Sequence, residues 1–190
     1  MSKISVREMV LAALFAAIAS VGAIFLRFGG EAVVPFSIMP LVVLLAGALL
    51  GAKLGALSMF IYVLIGLLGI PVFAKPPYGG PTYILQPTFG FLVGFIVGAY
   101  VVGKILEAKG EPSLVWYFLA MGGGLFGIYL LGLPYLYGIL NFYVGKAISV
   151  VEVLKIGFLP FILFDLIKAI LVIGIAKSVA ERVKSIKPLS

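Results

Sequence analysis

The sequence predicts an all-α integral membrane protein, a single domain of six transmembrane helices over residues 1–190. Of its residues, 63% are hydrophobic and only 11% charged, with a mean hydropathy of +1.27. Soluble domains are about half apolar and about a quarter charged. The apolar residues also fall into separate runs, and a helix needs about 20 mostly apolar residues to cross a bilayer. These runs cover residues 6–26, 36–50, 54–69, 88–106, 114–133 and 160–176.

The first run, 6–26, follows the cations Lys3 and Arg7 as a signal peptide would. It is long enough to span the membrane and further spans follow, so we expect a retained first helix. Alanines four residues apart form a smooth face on which another helix can approach closely. This face is predicted to contact either a partner protein or the rest of the chain. Its members are Ala12, Ala13, Ala16 and Ala17.

The second and third runs are separated only by the sequence Gly-Ala-Lys at 51–53. One helix over 36–69 would be about 50 Å long, whereas the hydrocarbon core is about 30 Å thick. We therefore predict a hairpin. The next connection holds three prolines and two glycines within 76–81, which exclude a helix. Irregular backbone at membrane depth is tolerated where it lines a cavity, so this loop is predicted to be a pocket wall or lid rather than an ordinary linker.

Glycine-rich segments in the fourth and fifth runs predict close helix packing. The segment "GAYVVGKI" (98–105) matches part of a nucleotide-binding motif, but Ile105 stands where a Ser or Thr would bind magnesium. We expect no ATP site. The connection over 134–159 mixes aromatic residues with single charges, which predicts a short interfacial helix before the sixth span.

The distribution of cations predicts that both chain ends are cytoplasmic. With that orientation nine cations lie inside and four outside, in agreement with the positive-inside rule. The long connections then also lie outside, and we expect recognition there. The inside set is Lys3, Arg7, Lys53, Lys104, Lys109, Lys177, Arg182, Lys184 and Lys187, and the outside set is Arg27, Lys75, Lys146 and Lys155.

Asp165 and Lys168 are charged residues inside the sixth apolar run. A rise of 1.5 Å per residue from Pro160 places them roughly 8 Å and roughly 12 Å below the start of the helix. At i and i+3 they share one helix face. Charges within a span are costly unless they face the protein interior or water, and they usually mark substrate paths. We expect the pair to face a cavity open to the outside, the alternative being an ion pair that only joins helices.

Several function classes are excluded by composition. The sequence has no cysteine and no histidine, which removes the usual general base and the commonest metal ligands. We expect no metal, no cofactor and no enzymatic activity, because an enzyme would have to work with Asp165 and Lys168 alone. The net charge of +7 follows membrane topology, so nucleic acid is not an expected partner.

Three segments carry a family resemblance: "GLLGIPVFA", "GGPTYILQPTFGFLVGF" and "GFLPFILFDLIKA". Together they resemble the BioY family, the biotin-binding S components of energy-coupling factor vitamin transporters, over residues 41–169. The resemblance implies a six-helix protein in the cell membrane of a prokaryote that captures biotin from outside. It also implies three partner subunits, a transmembrane coupling protein and two ATPases, with the alanine face of the first helix as the coupling contact.

The chemistry of biotin then suggests roles. Asp165 can accept a hydrogen bond from a ureido N–H, and Lys168 can donate to the ureido carbonyl. In the opposite pose Lys168 would bind the carboxylate. The alternatives to biotin capture are an S component for another vitamin and a stand-alone biotin transporter. The remaining pocket is expected to include apolar walls, polar side chains and loop amides from Phe36, Phe73, Gly80, Tyr83, Gln86 and Thr88.

Overall fold

The computed structural model describes residues 5–28 and 37–186, and within them it is helical with no strand. Five helices are long and apolar enough to cross a membrane, in agreement with the predicted all-α, multi-pass class. A shorter helix, α5, precedes the last of them. The helices are α1 (Val6–Phe28), α2 (Met39–Leu67), α3 (Phe89–Glu107), α4 (Leu114–Gly138), α5 (Val150–Gly157) and α6 (Leu159–Ile186).

Helix α2 is sharply broken at Gly51, where φ is 82° and ψ is 180°. Its two arms lie side by side: a methyl group placed on Gly55 would be 2.9 Å from the Cα of Gly47, although eight residues of straight helix span about 12 Å. The carboxylate of Glu107 accepts a hydrogen bond from the Ala52 amide at 2.7 Å. The break therefore has the geometry of a hairpin, and Glu107 caps its second arm.

Close backbone approach joins α3 to α4, as the glycine-rich segments predict. A methyl group on Gly94 would lie 2.6 Å from the carbonyl oxygen of Ile128, and one on Gly98 would lie 2.9 Å from that of Gly124. Helices α2, α3, α4 and α6 form a closed circuit of contacts, and α1 packs against α2. Large apolar side chains such as Leu44 and Met59 fill the centre of this group.

The alanine face of α1 is divided by this packing. Ala12 and Ala16 are buried within the chain, whereas Ala13 and Ala17 are exposed. Only the second pair is therefore turned away from the chain's own helices.

Two helices extend beyond the apolar runs that predict them. The helix of the fifth run does not end before Pro134, because α4 continues to Gly138 and into a π-helical turn over Ile139–Tyr143. Proline removes a single backbone donor, while the other amides of an apolar segment still need helical partners. Helix α6 also extends past the end of its apolar run at residue 176, to Ile186. The predicted short helix before it is confirmed as α5, whose N-terminus carries a capping box between Ser149 and Glu152.

Candidate ligand-binding site

A cavity of about 500 Å³ lies at the end of the helix group where α1 ends and α3 begins. The loop between α2 and α3 and the short helix α5 also contribute to its walls. Its lining is mostly apolar and aromatic, which is typical of small-molecule sites in both size and character. Aromatic walls come from Tyr62, Tyr83, Phe91, Phe95, Tyr129 and Phe161.

Asp165 is the acidic residue of the cavity lining, and it is only 4% exposed. Lys168, one turn further along α6, places its Nζ 2.8 Å from Oδ1 of Asp165. The hydroxyl of Tyr129 on α4 donates to Oδ2 at 2.6 Å. A carboxylate offers about four lone-pair sites, so Asp165 can still accept hydrogen bonds from a ligand without losing either partner.

The loop over 68–88 is built around Phe73, which is completely buried. Its ring packs edge-on against Tyr62 at 5.6 Å and tilted against Tyr83 at 4.2 Å between centroids. Gly66 admits this ring, since any side chain there would overlap it. Burial raises the pKa of the Tyr83 phenol, and a hydrogen bond with the Thr88 side chain opposes that effect. Tyr83 thus forms part of the cavity wall, and Phe73 packs behind it.

Arg27, in the last turn of α1, joins that helix to the same loop. Its Nε donates to the carbonyl oxygen of Phe73 at 3.0 Å, and its Nη2 donates to that of Pro71. The guanidinium also lies over the Tyr78 ring, 4.4 Å from the ring centroid. Tyr78 has a φ of +68°, a conformation that a non-glycine residue adopts only when its surroundings impose it.

The structure brings together part of the predicted set. Asp165, Tyr83 and Thr88 line the cavity. Lys168 is not a lining residue, but its Nζ donates to Asp165. Phe73 lies behind the wall. The amide of Gly80 already donates to the Gly66 carbonyl at 2.7 Å.

One further predicted residue, Gln86, does not line the cavity. It lies between the 3-10 turn Pro81–Leu85 and α3. Phe36 lies outside the described residues.

Arg27 and Tyr129 were missed as site residues by sequence reasoning. Arg27 follows an apolar run, where a cation ordinarily marks membrane topology. Tyr129 stands within an apolar run, where tyrosine is common, and nothing local reveals that its hydroxyl meets Asp165. A search for tyrosines inside the apolar runs could have identified Tyr129, since a buried hydroxyl needs a partner.

Comparisons with known proteins agree on one family. A model of the BioY family matches residues 1–185. "Biotin transporter BioY" of Thermotoga maritima is 40% identical over 185 residues, covering 95% of this chain and 98% of the relative. "Probable biotin transporter BioY" of Lysinibacillus sphaericus is 40% identical over 166 residues, covering 87% and 83%. These relatives are named as transporters and not as enzymes.

A solved structure is similar in fold. It is the S-component for biotin from an ECF-type ABC transporter, which aligns over 93% of this chain and 92% of its own with a TM-score of 0.72 and 21% identity. At that identity the match supports the helical architecture alone. The family match over nearly the whole sequence, together with the relatives at 40% identity, confirms the resemblance seen in the sequence motifs. This multi-pass membrane protein therefore belongs to the BioY family.

Proposed function

We propose that this protein is the substrate-capture subunit of a biotin uptake transporter, which binds biotin outside the cell and passes it on with the help of an ATP-driven coupling module. The observation that carries the proposal is Asp165, a buried carboxylate with accepting capacity to spare, in the wall of an otherwise largely apolar cavity. Relatives along almost the whole chain are named as biotin transporters.

Biotin suits this cavity chemically. Its ureido ring carries two N–H donors and one carbonyl acceptor, and Asp165 can accept from an N–H while Lys168, which has three donors, can donate to the carbonyl. The thiophane ring and the aliphatic tail would pack against the aromatic walls, including Tyr83 and Phe91. Thr88 would reach a polar atom, and Phe73, Gly80 and Gln86 would act by shaping the loop. Phe36 remains a predicted wall residue.

The proposed arrangement is one domain of six spans with both chain ends in the cytoplasm. The hairpin at Gly51 supports six crossings, since it divides α2 into two arms. The excess of cations on the proposed inner side supports the orientation. The cavity would then open to the outside, on the side of the long loops.

The proposed partners are a transmembrane coupling protein and two ATPases. Ala13 and Ala17 are exposed on α1 and would allow a helix of the coupling protein to approach closely. Ala12 and Ala16 would contribute indirectly, by seating α1 on its own chain. An S component for another vitamin and a stand-alone biotin transporter are the alternatives.

The experiment is a binding competition on the purified full chain in detergent, without ATP. We expect labelled biotin to bind at about one molecule per chain and to be displaced by unlabelled biotin but not by thiamine, riboflavin or niacin. If one of those vitamins displaces the label at a lower concentration than unlabelled biotin does, that vitamin and not biotin is the ligand. Absence of binding to all of them would contradict the capture function.

A further inference from the structure

The charged residues of the cavity wall are separated by sign. Asp165 lies six residues after the start of α6, which corresponds to about 9 Å along the helix. Arg27 lies in the last turn of α1 and contacts the loop that covers the same end of the helix group. Lys75, from that loop, also lines the cavity. The acidic end is therefore deep, and the basic end lies at the loop.

The guanidinium of Arg27 is held in place by neutral groups. Its described contacts are two backbone carbonyls and the face of the Tyr78 ring. Within residues 5–28 and 37–186, no carboxylate forms an ion pair with it, and its Nη1 forms no hydrogen bond. Arg27 is itself one of the residues that line the cavity, and a guanidinium has five N–H donors, more than these two bonds use. A half-buried guanidinium of this kind is stabilised when a ligand supplies an anion.

Lys168 is differently placed. Its Nζ is 2.8 Å from the Asp165 carboxylate, so its charge already has a partner within the chain. A ligand carboxylate at that end would lie near the like charge of Asp165, which is unfavourable. The two ends of the cavity therefore suit different parts of one ligand.

We propose that Arg27 is a specificity-determining residue that binds the carboxylate of the ligand, so that the ureido ring of biotin lies at Asp165 and the tail ends at Arg27. Arginine suits this role because its planar guanidinium can donate two parallel hydrogen bonds to a carboxylate. Lys75 adds positive charge at the same end. The assignment rests on the proposed function, because it presumes that biotin occupies the cavity.

The test compares biotin with biotin amide, which has the same rings and tail but a neutral end. We expect the wild-type protein to bind biotin at least about tenfold more tightly than the amide. Arg27→Gln should weaken biotin binding about tenfold and leave binding of the amide nearly unchanged, which removes the preference. Lys53→Gln, an exposed cation near the Gly51 turn, is the control and should keep the full preference.

The outcomes separate the two proposals. Equal binding of both ligands by the wild type, or a preserved preference in Arg27→Gln, would overturn the role of Arg27 while biotin capture stands. A variant that weakens both ligands equally would show that Arg27 only shapes the loop, which also overturns it. If neither ligand binds the wild type, the proposed function fails as well.

Arg27→Lys provides a second measurement in case Arg27→Gln does not fold. It keeps the charge but not the planar pair of donors, so the preference should fall at least about threefold. An unchanged preference in Arg27→Lys would contradict the proposal.

Discussion

Asp165 is a buried carboxylate whose two oxygens already have separate partners, Lys168 and Tyr129. A lone charge in the span would be very costly, and a charge with one partner would still lack hydrogen bonds for its second oxygen. The three residues come from α4 and α6 and connect these helices at the cavity wall. In the proposed function they form a polar surface that is ready for the ureido ring before biotin arrives.

Asp165→Asn is expected to reduce biotin affinity at least about tenfold, because it removes a charged acceptor and leaves Lys168 without its ionic partner. Tyr129→Phe should reduce it by a smaller factor, about twofold to tenfold, since it removes one hydrogen bond that positions the carboxylate. Isothermal titration calorimetry of the purified variants measures both effects. Lys146→Gln, an exposed cation, is the control. Wild-type affinity in Asp165→Asn would contradict the assigned site.

The sequence identifies part of this site and not the rest, for a physical reason. Asp165 and Lys168 stand out because charged residues are rare within apolar runs. Tyr129 and Arg27 have ordinary surroundings along the chain, and their roles arise from contacts 36 and 46 residues away. Such contacts depend on how helices and loops meet, which one sequence does not reveal.

The α2 hairpin shows how one residue decides the course of a helical element. Gly51 has a φ of 82°, and a side chain there would also overlap the Glu107 carboxylate that caps Ala52. The combined length of the second and third apolar runs indicates that the chain reverses direction in this region. The Gly-Ala-Lys sequence at 51–53 predicts the position of the reversal. By contrast, Pro134 suggests that the helix ends there, but α4 continues past it. A membrane helix tolerates the loss of one backbone N–H donor.

Gly51→Ala is expected to destabilise the protein by about 1 kcal/mol or more, because alanine is strained at this φ and displaces Glu107. Thermal unfolding in detergent should show a midpoint lower by about 2–4 °C. Gly110→Ala is the matched control, since Gly110 is exposed and a methyl group there meets open space. Equal midpoints for the two variants would show that the hairpin does not depend on glycine at residue 51.

Helix α5 should become less stable in acid. The backbone N–H of Ser149 and then its side chain lower the pKa of Glu152 below its ordinary value of 4.5. The folded-state pKa is depressed, so the stabilisation is complete above the unfolded value and is lost as the pH falls through the lower folded value. The protection factors of the first α5 amides against hydrogen exchange should fall below about pH 4 relative to those of α3. In Glu152→Gln that loss of protection should be absent, and its persistence there would rule out the capping box as the cause.

At the scale of the whole molecule, the proposed orientation places the cavity outside and the Gly51 turn inside. The sequence contains no cysteine, so single-cysteine variants report one position each. A membrane-impermeant maleimide should label Lys146→Cys in intact cells and Lys53→Cys only after permeabilisation. The reverse pattern would invert the topology. Labelling of both in intact cells would contradict the three membrane crossings proposed between residues 53 and 146.

The segment over 98–105, which matches part of a nucleotide-binding motif, is helical. It lies within α3, which packs against α4. A phosphate-binding loop would instead lie between a strand and a helix. In the proposed function the energy for uptake comes from partner subunits, whose proposed contact includes Ala13 and Ala17.

Mass spectrometry of the protein extracted gently from its native membrane tests the central claim most directly, because it weighs ligand and partners together. Biotin capture predicts one molecule with the mass of biotin per chain, in complexes that also contain a transmembrane coupling protein and two ATPases. A different small molecule in the cavity, or a protein that carries none even after growth with biotin, would contradict it.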